Sequence, residues 1–274
     1  MVWTDNTRIN YHRRHMRYSS DCTDDEWHVV SPFLERMHKV GRPRKHGDRS
    51  IWNAIQYIAS TGCQWDQLPK DFAPFTTVQY HFYRLRNSGL LDVINEALAI
   101  FMRQINGRAA LPTAGIIDSQ SVKTTESGGV RGYDAGKKVK GRKRHIITDT
   151  AGNMLDGIVH SADIQDRDGA SSTINSAMQA YPSLQKIYAD GGYSGDKLVQ
   201  AMSDIKGPAI EIVKRPQNVQ GFVVLARRWV VERTFAWLNR CRRLAKDWER
   251  SIQSSTAWMF IASIRRMARA IAKY

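Results

Sequence analysis

Three carboxylates stand out by their settings. Asp118 follows the apolar run Ala114-Gly115-Ile116-Ile117, and Asp190 follows Lys186-Ile187-Tyr188-Ala189. Each reads as a short strand that delivers an acid at its end, the position where α/β sheets bind ligands. Asp190 leads into Gly191-Gly192, where another backbone can approach closely. A single aspartate after a strand ordinarily caps a loop or helix; two in the same layout say more than either alone. Glu232 belongs to a helical stretch in which Val230, Val231, Thr234, Phe235, Trp237, Leu238, Cys241, Leu244 and Ala245 form one broad apolar face. It points away from that face, with Arg228 and Asn239 near its own direction. Such a glutamate is ordinarily solvated and paired with Arg228. Tight packing through Trp and Phe would nevertheless give the polar stripe one fixed direction, and three acids would converge if that direction is toward the two aspartates. Three oxygen donors suit a hard divalent cation such as Mg²⁺. Two such ions about 3.5–4 Å apart can activate an attacking hydroxyl and stabilise the leaving oxygen of a phosphodiester.

The elements that must position these acids begin near residue 111, where the pattern turns from helical to strand-rich. Residues 144–148 and 154–160 read as a hairpin around Asp149-Thr150-Ala151-Gly152-Asn153, with Asp149 and Asp156 assigned to its turn. Helices are expected over 166–180 and 194–206, a fifth strand over 209–213, and long helices from about Leu225. Three strands followed by alternating helix and strand imply an α/β domain with a mixed sheet. Asp163, Asp166 and Asp168 form a rival acidic cluster, read as a helix start. His145 and His160 read as strand residues. Residues 258–272 fit either a core helix or a contact between copies.

Ahead of this lies a helical region. Residues 1–22 read as a flexible basic tail. Thr23 with Glu26 three positions on is a capping box, opening a helix through Trp27, Val30 and Leu34. The loop Gly41-Arg42-Pro43-Arg44-Lys45-His46-Gly47 supplies Arg42, Arg44 and Lys45 as candidate DNA contacts. Ile51, Ile55 and Ile58 mark a helix that Thr61-Gly62 ends. Thr76 and Thr77 can cap another, carrying Tyr80, Tyr83, Arg84 and Arg86 up to Gly89, and 90–102 is amphipathic. Helix, glycine turn and basic aromatic helix fit a helix-turn-helix, with Arg84 and Arg86 toward DNA; a helical bundle with a solvated charged face fits as well. The boundaries follow as 1–22, 23–108 and 109–274.

Composition supports an acidic partner. There are 41 Lys and Arg against 26 Asp and Glu, a formal net charge of +15, and nucleic acid is the natural complement. The run 131–144 holds seven basic residues, among them Lys137, Lys138, Lys140, Arg142, Lys143 and Arg144, and one acid, Asp134. It follows the strand carrying Asp118, which favours phosphate contact over a merely solvated loop. The 3 cysteines are far apart and form no zinc pattern. They fit a reducing compartment. No signal peptide is evident, and apolar runs are too short to span a bilayer. The expectation is a cytoplasmic protein without membrane contact.

Read together, Ile116-Ile117-Asp118-Ser119-Gln120-Ser121-Val122-Lys123, the run 137–145, Tyr188-Ala189-Asp190-Gly191-Gly192-Tyr193 and Val231-Glu232-Arg233 resemble the DDE transposases of bacterial insertion sequences, in the group named after insertion sequence five. Gly41-Arg42-Pro43 and Gly62-Cys63-Gln64-Trp65-Asp66-Gln67-Leu68-Pro69 are similar to that group's amino-terminal part. The resemblance implies an α/β fold, a ribonuclease H-like mixed sheet flanked by helices, with an all-α N-terminal DNA-binding domain. Its first and fourth strands would be neighbours, bringing Asp118 beside Asp190. It implies Asp118, Asp190 and Glu232 as catalytic metal ligands and two Mg²⁺ or Mn²⁺ ions as cofactor. Double-stranded DNA, both terminal inverted repeats and target, is the implied partner, bound by a homo-oligomer near the bacterial nucleoid. Related enzymes often carry Tyr, Arg, Glu and Lys around the last acid. Arg228 and Glu232 fit, but Leu225 and Asn239 stand at the flanks, leaving Arg240 and Arg243 as candidates for the lysine's contact with terminal DNA. A nuclease of the same fold without strand transfer, or a DNA-binding repressor descended from a transposase, are the alternatives.

Overall fold

The computed structural model describes residues 12–13, 15–34, 45–213 and 226–274. Arg42, Arg44, Leu225 and most of the basic tail lie outside the described residues. The tail's described end is anchored: Arg13 pairs with Glu26 and donates to the Asp21 carbonyl at 2.7 Å, and Tyr18 stacks on Phe72.

Four helices open the described chain: α1 (Asp24–Leu34), α2 (Asp48–Thr61), α3 (Phe75–Asn87) and α4 (Leu90–Ile105). The capping box forms as expected, with Glu26 N donating to Thr23 Oγ1 and Thr23 N to Glu26 Oε2. Gly62 ends α2 at φ 72°, a left-handed geometry that glycine adopts without strain. α3 starts earlier than expected. Pro74 is its N-cap, and its carbonyl takes the amides of Thr77 and Val78, so the two threonines lie inside the first turn.

The sheet contains β1 (Ala114–Lys123), β2 (Gly132–Asp134), β3 (Val139–Asp149), β4 (Met154–Ser161), β5 (Lys186–Ala189) and β6 (Ala209–Ile212). β3 pairs antiparallel with β1 on one side and with β2 and β4 on the other; β5 and then β6 add parallel beyond β1. A three-strand antiparallel meander extended by two parallel strands is the ribonuclease H-like arrangement. The helices after β4 are α5 (Asp166–Ala180), α6 (Asp196–Asp204), α7 (Ala226–Leu238) and α8 (Ile252–Ile271).

Alternation along β3 assigns the two faces of the sheet. Lys143 and His145 point to the start of α5, whereas Arg142 and Arg144 point to the segment between α7 and α8. α8 is a core helix. Trp258, Met259, Ile261, Ile264 and Met267 are buried along it, Trp258 stacks on Phe82 of α3, and one apolar cluster runs from α1 to α8. Asn95 of α4 ties this stack to the sheet, taking a hydrogen bond from Ser263 Oγ and donating to the Met154 carbonyl. The helical region and the sheet therefore share one interior.

Candidate active site

Asp118 lies in the middle of β1, not at a strand end: β1 pairs with β3 from Gly115 to Lys123. The strand continues through Ser119-Gln120-Ser121 because the facing basic residues of β3 find partners inside the protein. Asp190 directly follows β5 and caps the turn Gly191–Tyr193, accepting from Gly192 N at 2.8 Å. Ile116 is in register with Tyr188 on the parallel neighbour. Asp118 and Asp190 each stand two residues further on, so they share one level of the sheet.

α7 brings Glu232 to the same place. Val231, Thr234, Phe235 and Leu238 are buried under it. Thr234 Oγ1 and the Arg233 guanidinium hold the β3–β4 turn through the Gly152 and Ala151 carbonyls, at 3.0 and 2.9 Å. Arg228, one turn before Glu232, spans two of the acids: its Nη2 is 3.5 Å from Asp190 Oδ2 and 3.4 Å from Glu232 Oε1. Burial pushes Asp118 up to about 6. The Ser119 amide opposes this, Asp190 adds to it, Lys137 opposes it, and Glu232 adds to it. The three acids thus share one field. Among the described residues no three His, Cys, Asp or Glu side chains stand close enough to enclose a metal ion. The donor chemistry still fits a hard cation: the ligands would be oxygen only, and the three carboxylates have one guanidinium, that of Arg228, between two of them.

Beneath the acids lies a network that the sequence reading missed. Asp166, first residue of α5, accepts from Ser119 Oγ at 2.8 Å and pairs with Lys143 at 2.7 Å. Lys137 Nζ reaches back to the Ser119 carbonyl and hydroxyl at 3.1 and 2.8 Å and stands 3.6 Å from Asp166. Burial alone would push Asp166 up, but His145, Lys143, Ser119 and Lys137 around it hold its carboxyl well below the usual range. His145 itself is pushed down to about 4 by burial, so at neutral pH it is uncharged; its Nδ1 lies 3.1 Å from His160 Nε2. No local signal announced it, because it depends on Ser119 facing His145 across the ladder, a register that only the folded sheet fixes. Of the rival acids, Asp166 is committed to this network and Asp168 to Lys197 at 2.6 Å. Asp149 does serve the hairpin turn, accepting from Ala151 N and Asn153 N. Asp156 does not; it lies within β4, bonded to Gly157 N.

Four of the expected DNA contacts are corrected. Arg142 has a fully buried side chain and pairs with Asp247 at 3.1 Å. Lys143 is bound by Asp166 and Asp134. Arg144 donates to the Leu244 carbonyl at 2.7 Å. Arg243 pairs with Glu249 at 2.6 Å and donates to the Cys63 carbonyl. Each is a cation buried with its own internal partner and cannot also meet a phosphate. Lys45, Lys137, Lys138, Lys140 and Arg240 are exposed. Arg84 lies over the Tyr80 ring and Arg86 over Tyr83, both partly accessible, as is Arg228. Asn239, at the position where the resemblance led to the expectation of a lysine, donates to Gln120 Oε1 at 3.3 Å.

The geometry defines a ribonuclease H-like domain with acids from two adjacent strands and a facing helix. Residues 109–267 match the family described as "Transposase DDE domain", and residues 22–95 match one described as "Putative transposase of IS4/5 family". The chain belongs to the DDE-domain transposase family. It is 36% identical over 118 residues to the "Putative transposase for insertion sequence element IS402" of Burkholderia cepacia, covering 40% of this chain and 54% of that protein. It is 29% identical over 87 residues to "Uncharacterized protein y4sN" of Sinorhizobium fredii, covering 31% of this chain and 67% of that protein. The match thus spans about half the length of the first relative. The Mos1 strand transfer complex aligns over 86% of this chain and 82% of its own, at 12% identity and a TM-score of 0.27. No described helix is long and apolar enough to cross a membrane.

Proposed function

We propose that this chain is an insertion-sequence transposase that cleaves DNA at the ends of its element and joins the freed 3′-hydroxyl to target DNA. The observation that carries this reading is the meeting of Asp118 and Asp190, level on neighbouring strands, with Glu232, which Arg228 links to Asp190. The three acids are the proposed metal ligands, with Mg²⁺ or Mn²⁺ as cofactor, two ions in all. Bound there, the ions would activate water or a 3′-hydroxyl and stabilise the leaving oxygen. The protein's own part is positional. β1 and β5 hold two carboxylates rigidly, the Asp166–Ser119–Lys137 network fixes the backbone beside Asp118, and α7 presents the third acid on an accessible face. Once Asp190 and Glu232 are engaged by cations, Arg228 is free to turn to a substrate phosphate. Lys45, Arg84, Arg86, Lys137, Lys138, Lys140 and Arg240 are the cations proposed to carry double-stranded DNA, both terminal repeats and target. Residues 23–108 are the proposed end-recognition region and 109–274 the catalytic one. Joining two ends requires more than one copy on the DNA, hence a homo-oligomer.

The test is incubation of the purified chain with duplex DNA carrying the inverted repeats that border its gene, with Mg²⁺ or Mn²⁺. Strand breaks at the repeat termini followed by joined products are expected. Breaks without joined products would leave only a nuclease, and binding without breaks would leave a repressor.

A further inference from the structure

A groove of about 590 Å³ opens between α3, the β1–β2 loop and the start of α8, and none of the three acids lines it. Tyr83 and Arg86 form one wall, Val130 from the β1–β2 loop another, and residues 249–254 leading into α8 the third. The two loop walls are braced from below by Arg142. Its guanidinium donates to the carbonyls of Val130, Glu249 and Arg250, each at 2.8 Å, besides pairing with Asp247. Gly129 makes the closeness obligatory: its φ is 85°, and a Cβ there would strike the Arg250 carbonyl. The groove is therefore a built feature and not a gap between loose loops.

Its charge is positive. Arg250 is exposed, and Arg86 lies over the Tyr83 ring, donating through Nη1 to Ser254 Oγ and through Nε to Asn87 Oδ1, each at 2.9 Å, with Nη2 left toward the groove. The acid on the wall, Glu249, is neutralised by buried Arg243. Tyr83 and Val130 add exposed apolar surface, at 37% and 57%. Two guanidinium groups beside an aromatic ring match a phosphodiester with its sugar or base against the ring. Resting on the transposase reading, we infer that this groove holds a phosphodiester segment of the DNA substrate, away from the bond being cut. Thr124, bridged to Asp247, whose carboxylate pairs with Arg142 beneath the groove, is six residues beyond Asp118 along the direction of β1. At about 3.3 Å per residue the separation is roughly 20 Å, or about six nucleotides of one DNA strand. The groove would thus set where along the DNA the acids act.

The experiment measures binding of duplex DNA carrying the bordering inverted repeats over a range of salt, for the wild type, Arg250→Ala, Arg250→Lys and Arg86→Gln/Arg250→Ala. The slope of log K against log salt should fall by about one in Arg250→Ala and about two in the double variant, with Arg250→Lys close to wild type. In parallel, single neutral methylphosphonates are scanned along each strand. One placed about six nucleotides from the cut should weaken wild-type binding several-fold and leave Arg250→Ala unaffected, a dependence that a folding defect would not produce. A wild-type slope in the double variant, or methylphosphonate effects identical in wild type and Arg250→Ala at every position, overturns the groove. If those results accompany normal wild-type cleavage that Asp118→Asn abolishes, only the groove is lost. If the wild type neither binds nor cuts this DNA, the transposase reading fails and the groove with it.

Discussion

Two sets of acids in this molecule stand in contrast. Asp149, Asp166 and Asp247 belong to the fold, each beside a fixed buried cation: Arg103 at 3.1 Å, Lys143 at 2.7 Å and Arg142 at 3.1 Å. Hydrogen bonds complete their coordination, from Asn153 to Asp149, Ser119 to Asp166 and Ser255 to Asp247. Asp118, Asp190 and Glu232 are treated differently. Asp190 and Glu232 share the single guanidinium of Arg228, and Asp118 forms no ion pair with a described residue. These three structural acids are neutralised in place, while the acids of the site are left short of positive charge. That shortage is what a metal-binding carboxylate cluster needs, because an internal cation with perfect geometry would compete with the ion.

The comparison breaks first at the chemistry. Asp118→Asn, Asp190→Asn and Glu232→Gln should each reduce end cleavage by about 10⁴-fold, corresponding to several kcal/mol of lost transition-state stabilisation. DNA binding should be retained. Cleavage assays beside gel-shift binding check this, and residual cleavage within tenfold of wild type in any of the three would place that acid outside the site. Next comes the other set. Asp247→Asn leaves the buried Arg142 charge uncompensated and should cost about 3–5 kcal/mol of stability. Urea unfolding would read it as a lower midpoint at unchanged slope. A midpoint near wild type would mean that the pair is not a structural requirement.

Local signals were legible and long-range ones were not. β5 and α5 have the bounds expected from their apolar run and aspartate start, and the Thr23–Glu26 box forms as read. The neighbouring of the first strand and the strand ending at Ala189, implied by the resemblance, is present in the sheet. The basic run misled because its meaning depends on distant residues. Arg142 finds Asp247, Asp247 N bonds the Lys123 carbonyl, and nothing near residue 142 announces either. Arg142, Lys143 and Arg144 turn inward to Asp247, Asp166 and the Leu244 carbonyl, all distant in sequence, and the strand carrying Asp118 then runs on to Lys123 against them. The bond from Arg228 to Glu232 was legible as a helical i,i+4 pair; its reach to Asp190 depends on how α7 docks and was not.

A smaller effect sharpens the contrast by pH. The Asp118 carboxyl titrates near 6 in the fold against about 4 in an unfolded chain. Its raised value means that the folded state binds the proton more tightly. The contribution is therefore fully favourable below pH 4, and stability is lost as pH rises from 4 to 6. Because the carboxylate is partly accessible, the loss is about 1–2 kcal/mol rather than the full value of the shift. Asp118→Asn should accordingly raise the melting temperature of metal-free protein by a few degrees at pH 7.5 and leave it unchanged at pH 4. A destabilised Asp118→Asn at pH 7.5 would mean that the charged carboxylate has a compensating partner after all.

The smallest effect concerns the basic run itself, where exposed cations up to Lys140 give way within two residues to buried ones from Arg142. Lys138 and Lys140 are exposed, whereas Lys143 is 3% exposed and doubly paired. Lys138→Gln and Lys140→Gln should change stability by no more than about 0.5 kcal/mol. Each should lower the salt slope of DNA binding by about one if it meets a phosphate. Lys143→Gln reverses the pattern: it strips charge from Asp166 and Asp134 together, so it should lower the unfolding midpoint, while any loss of DNA affinity vanishes once binding is normalised to folded protein. Equal salt slopes for the wild type and both outer variants would remove the β2–β3 turn from the DNA path and leave α3 and the groove to carry it.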